Sequence, residues 1–86
     1  MTTIKQLLDR IKWDKSFKPE DFRIYYWENK TKKLMEVRYV DVKEFGDGTI
    51  TIERNGALVE IPLHLIRKVT KSGFAFWTRE VETDGL

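Results

Sequence analysis

The stretch TITIERNGALVEI, residues 49–61, decides the fold class. Asn55-Gly56 sits between two alternating apolar runs. That is the strongest short-range hairpin signal, because both central residues of a primed turn need φ > 0. A two-residue turn there pairs Ile52 with Val59 and Ile50 with Ile61. Both pairs fall on one face, so turn chemistry and apolar pattern predict the same register. Leu58 falls on the other face. Outward from this hairpin, Gly46-Asp47-Gly48 reads as a turn on one side. On the other, Pro62 interrupts the ladder and leaves His64 in a corner between strands.

The flanking segments extend the sheet. Residues 22–27 are dense in aromatic and β-branched side chains and read as a strand. Phe22, Ile24 and Tyr26 share one face; Arg23, Tyr25 and Trp27 share the other. Residues 29–33 form a polar, basic turn. Residues 34–45 read as a long β-type run whose apolar phase shifts after Tyr39, which predicts a bulge or strong bend near 39–41. A strand near 65–70 turns at Lys71-Ser72-Gly73 into a last strand, 74–79. A three-residue loop would set Arg67 opposite Trp77; a two-residue loop would set Lys68 there. At the N-terminus, Ile4, Leu7, Leu8 and Ile11 recur at helical spacing, and Thr3 with Gln6 fits a capping box. Trp13 follows at the helix end and is expected to pack on the core. The expected fold is α+β: one N-terminal helix plus about five antiparallel strands, as a strongly bent sheet or small, partly open barrel. Residues 1–86 read as a single domain with a frayed acidic tail from 79 onward.

The absence of cysteine excludes disulfides and thiolate chemistry, and a single histidine argues against a protein zinc site. No cofactor is expected. No long apolar run is present to span a membrane, and the N-terminus has no apolar signal core, so a soluble, cytoplasmic protein is expected. The net charge of +2 hides a strong segregation. Residues 1–33 carry nine Lys/Arg against five Asp/Glu, and residues 34–66 carry three against six. Residues 67–79 carry four cations and no acid. Such polarity favours an anionic partner.

The acid-free run lies in the stretch IPLHLIRKVTKSGFAFWTR, residues 61–79, together with the only histidine and the aromatics Phe74, Phe76 and Trp77. An imidazole, guanidinium groups and an indole on one small hairpin suit a phosphate and a base. His64 can donate to a phosphate oxygen or tie down the loop after Pro62. Arg67 and Arg79 suit bidentate phosphate contacts, or serve as solvated strand charges that resist aggregation. Trp77, Tyr25 and Trp27 can stack on splayed bases or pack in the core.

With Ile11-Lys12-Trp13-Asp14 at the helix end, Ile61-Pro62-Leu63-His64, and Gly73 followed by Trp77 and Arg79, the chain resembles the RNA cyclic group end recognition domain family. That is a small, mainly archaeal family, and the resemblance covers nearly the whole chain. It implies recognition of RNA ends that carry a terminal phosphate, including a 2′,3′-cyclic one, during RNA processing. By motif, His64, Trp77 and Arg79 match family positions, and Trp13 and Asp14 match the first block. Where the family usually has Arg directly after the His, this chain has Leu65, so that phosphate contact is missing or moved to Arg67 or Lys68.

The candidate nucleic-acid and phosphate-binding set is therefore His64, Arg67, Lys68, Trp77, Arg79 and Trp13. No catalytic or metal-binding residue is assigned. The expected partners are single-stranded RNA or RNA 3′ ends, and an RNA-processing enzyme. Two other classes stay open. A small phosphoesterase would need both a general acid and a general base, and the chain offers one histidine. An Sm-like assembly module shares the helix-then-bent-strands order and has no catalytic activity.

Overall fold

A computed structural model describes residues 3–79. The expected frayed tail lies, beyond Arg79, outside the described residues. Helix α1 spans Ile4–Trp13 and starts at the predicted box. The Gln6 amide donates to Thr3 Oγ1 at 3.1 Å, and the Thr3 amide donates to Gln6 Oε1 at 3.0 Å. These satisfy donors that a helix start otherwise leaves orphaned. Its stripe Ile4, Leu7, Leu8 and Ile11 is buried, as a short helix requires for stability. Trp13 is not part of that stripe. It is 75% exposed, which corrects the expectation of core packing. Two residues past Ile11, it points some 200° around the helix from the buried face.

Among the described residues seven strands follow: β1 (Phe22–Glu28), β2 (Lys33–Arg38), β3 (Glu44–Phe45), β4 (Thr49–Arg54), β5 (Ala57–Pro62), β6 (Ile66–Lys71) and β7 (Phe74–Thr78). They form a four-stranded antiparallel sheet in the order β2-β1-β6-β7 and a three-stranded one in the order β3-β4-β5. The α+β class holds, but the strand count exceeds five and the sheets do not close into a barrel. The difference originates in the 34–45 run. Its phase change falls on a single 3-10 turn, Tyr39–Asp41, which ends β2 and starts the other sheet. Tyr39 is buried there, and its hydroxyl donates to the Leu8 carbonyl at 3.0 Å, latching the turn to α1. Burial pushes the Tyr39 pKa up to about 12.

The β4–β5 hairpin has the predicted register, with Ile52 opposite Val59 and Ile50 opposite Ile61. Asn55 (φ 52°) and Gly56 (φ 81°) occupy the left-handed region that the turn demands. Ile50, Ile52 and Ile61 join α1, Phe22, Ile24, Ile66 and Val69 in one core, while Leu58 is exposed.

Candidate nucleic-acid interface

Pro62 ends β5 with φ −61° and leads into a three-residue 3-10 turn, Leu63–Leu65, which delivers the chain to β6. Leu63 is buried, and its amide donates to the Gly48 carbonyl at 2.9 Å. With Leu63 anchored inward, His64 is exposed and Leu65 half-buried. The turn is braced by two arginines. Arg79 Nε donates to the Ile66 carbonyl at 2.9 Å, and Arg79 Nη2 donates to the Leu63 carbonyl at 3.2 Å. Arg67 Nη1 donates more weakly to the His64 carbonyl at 3.4 Å. The Arg79 amide donates to the Arg67 carbonyl at 2.8 Å, joining the end of β7 to β6. His64, Arg67 and Arg79, predicted together, are thus brought together.

Trp77 belongs to the same group through Arg79, whose guanidinium carbon lies 5.3 Å from a Trp77 ring centroid. Neither Arg67 nor Lys68 faces the indole across the strands; Val69 does. The loop is the two-residue one, with Ser72 (φ 51°) and Gly73 (φ 89°) between the paired Lys71 and Phe74. The register then shifts by one because β7 carries an extra residue, Phe76. Phe76 meets Phe17 and Phe22 edge-on, at centroid separations of 5.6 and 5.5 Å. The shift turns Trp77 to the core face, where it is half-buried against the core cluster.

Lys68 lies apart, on the outer face of the four-stranded sheet, opposite Tyr25. Its ammonium sits 4.8 Å from the Tyr25 ring centroid. Trp13 contacts Lys12, 5.4 Å from its ring, and no hydrogen bond or ring contact joins it to the His64 turn among the described residues.

The arginines of this stretch differ from the others. Outside it, Arg10 pairs with Asp14, Arg23 with Glu36, Arg38 with Asp41 and Arg54 with Glu28, and Lys5 and Lys43 pair with Asp47 and Glu53. Arg67, Lys68, Lys71 and Arg79 instead contact carbonyls or aromatic rings, and none forms an ion pair among the described residues. Neutral partners fix a cation's position without cancelling its charge, which stays available to an anion.

Sequence reasoning missed a neighbouring pocket of ≈ 120 Å³ whose lining includes Trp27, Arg54, Pro62 and Leu65. The bond from Arg54, with one from Thr31 second, holds the Glu28 carboxyl below its usual range. The pocket draws on β1, β4, β5 and the turn, so no local pattern announces it. Among the described residues, no group of three His, Asp or Glu is placed to hold a metal ion. Among the same residues, no helix is long and apolar enough to cross a membrane.

A family model, described as the MJ1316 RNA cyclic group end recognition domain, matches residues 1–79. No curated protein and no solved structure matches the chain.

Proposed function

The chain belongs to the MJ1316 RNA cyclic group end recognition domain family, and from that premise we propose that it binds the terminal phosphate of single-stranded RNA at the His64 turn without turning it over. The carrying observation is the exposed His64 on a turn braced by Arg67 and Arg79, in a stretch whose cations have no carboxylate partner among the described residues. In this reading His64 donates to a phosphate oxygen. Arg67 supplies charge beside it. Arg79 uses two of its N–H groups on main-chain carbonyls and meets the phosphate with those that remain. Trp77 seats Arg79 and offers its exposed part to the terminal base. Leu65 widens the apolar side of the site towards Pro62 and Trp27. Binding is favoured over catalysis because opening a cyclic phosphate needs paired acid and base groups, and the chain supplies one imidazole.

The test is a binding titration with one RNA sequence bearing hydroxyl, phosphate or cyclic-phosphate ends, at several salt concentrations, with product analysis. We expect tighter binding of the phosphorylated and cyclic ends. The salt slope should be about −0.7 per engaged phosphate, with roughly two to four engaged. His64→Ala should erase the end preference and keep most general RNA affinity. Equal affinity for all three ends overturns the reading. Product formation would make the protein a phosphoesterase. A ring-shaped oligomer without RNA binding would make it an assembly module.

A further inference from the structure

The outer face of the four-stranded sheet is not used by the end-binding turn, and it carries aromatic residues at a regular spacing. Tyr25 and Trp27 alternate with the buried Ile24 and Tyr26 along β1, so both project from that face. Both are half-exposed. Two residues of strand separate them by about 6.8 Å. That is twice the stacking separation of about 3.4 Å along one strand of a duplex, so the spacing suits splayed, unstacked bases. Lys68 lies beside Tyr25, its ammonium 4.8 Å from the ring centroid. Its flexible stem can carry that charge from the ring to a phosphate. At the Trp27 end, the β1–β2 turn adds the exposed Lys30, Lys32 and Lys33. The face also connects to the end site, because Trp27 and Leu65, the neighbour of His64, line one pocket.

We propose that this face is a track for the nucleotides that precede the RNA terminus. The base next to the end stacks on Trp27, the following base stacks on Tyr25, and Lys68 contacts the phosphate between them. Four-stranded sheets receive two or three bases in this way in other RNA-binding modules. The proposal rests on the end-binding reading for its polarity and adds the substrate class: an unpaired RNA end at least three nucleotides long, bound without sequence preference, since every base offers a π-face.

The experiment compares cyclic-phosphate-ended and hydroxyl-ended RNAs of one, two, three and five nucleotides, with the wild-type protein, Tyr25→Leu and Lys68→Gln, each checked for folding by circular dichroism. A second measurement needs no variant: 2-aminopurine at the third position from the end, whose fluorescence is quenched when it stacks. Affinity should rise up to three nucleotides and then flatten. Tyr25→Leu should weaken the trinucleotide by about 5- to 150-fold, the worth of one base–aromatic stack, by the same factor for both ends, and leave the mononucleotide unchanged. Lys68→Gln should weaken the trinucleotide and flatten its salt dependence. The 2-aminopurine signal should fall on binding. A preference for the cyclic end with no gain from length, or no quenching, keeps end recognition and overturns the track. A gain from length with no regard to end chemistry keeps the track and overturns end recognition.

Discussion

Arg79→Lys separates bracing from charge at the His64 turn, because it keeps the cation and removes the planar fork. In the wild-type protein the guanidinium makes two bonds to main-chain carbonyls, at 2.9 and 3.2 Å, and lies 5.3 Å from the Trp77 ring centroid. A hydrogen bond from a charged donor is worth about 1.5–3 kcal/mol where the acceptor is left stranded. Arg79 is half-exposed, so water can reach the freed Leu63 and Ile66 carbonyls and both bonds count at the low end or less. The pair then sums to about 2 kcal/mol, and a lysine ammonium recovers one bond at best. The net loss is about 1 kcal/mol. For a domain of this size that lowers the melting temperature by about 4–8 °C. The same loosening should reach function, since the carbonyls released belong to the turn that presents His64. Discrimination between cyclic and hydroxyl ends should shrink, while the salt slope stays put because the charge is unchanged. The assay is a thermal melt followed by circular dichroism, then the end-series titration at several salt concentrations. A variant that melts with the wild type and keeps its end preference refutes the bracing role. One that keeps its melting temperature but loses a phosphate's share of salt slope leaves Arg79 its phosphate contact and removes the bracing role.

Leu65→Arg should leave the fold intact, because Leu65 is half-buried beside an open pocket, and should tighten RNA-end binding by about 0.5–1 kcal/mol, the worth of an exposed charged contact; unfolding or unchanged affinity counts against it. Trp13→Ala should alter stability by less than about 0.5 kcal/mol, given its exposure, and an unchanged RNA titration would remove Trp13 from the interface. Gly56→Ala should cost about 1–2 kcal/mol in a denaturant melt, since φ is +81° while nothing lies within 4 Å of an added Cβ; a neutral result would mean that the turn can relax. Tyr39→Phe tests the latch by pH. Burial raises the Tyr39 pKa to about 12, so the folded state keeps a proton that the unfolded chain releases near pH 10. That contribution is complete below pH 10 and is lost as pH climbs to about 12. Melts at pH 8, 10 and 11 should therefore fall less steeply for Tyr39→Phe than for wild type, and parallel slopes would show that the hydroxyl is not buried.

Three local readings hold. The Asn55-Gly56 turn, the capping box and the α1 stripe depend on residues within a few positions of each other. The bend near 39–41 was visible as a phase change, but its consequence was not. A phase change says that the chain reverses which face it buries; it does not say that the chain leaves one sheet for another. That outcome involves Tyr39 reaching the Leu8 carbonyl, 31 residues away in the chain. The β6–β7 register failed for the same kind of reason. Turn chemistry left the loop at two or three residues, and the extra residue in β7 sits where Phe76 packs on Phe17 and Phe22, from outside the hairpin.

The candidate site divides along the same line. An acid-free run is visible in any sequence, but whether its cations remain unneutralised depends on which carboxylates the fold brings near. Here Glu36, across β1 from Lys68, is held by Arg23 at 2.6 Å, and Glu28, beside the pocket, is held by Arg54. Those pairings hold these two carboxylates away from β6. Bonding to Arg23 keeps the Glu36 carboxyl below its usual range, so it stays ionised and engaged at neutral pH. The pairings on β1 and β2 thereby help to set the potential felt at the His64 turn. Arg23→Gln would free Glu36 to turn towards Lys68, and RNA affinity should drop although Arg23 itself is already neutralised in the wild-type protein. Unchanged affinity in that variant, measured at low salt where such fields reach furthest, would show that Lys68 carries no share of the binding.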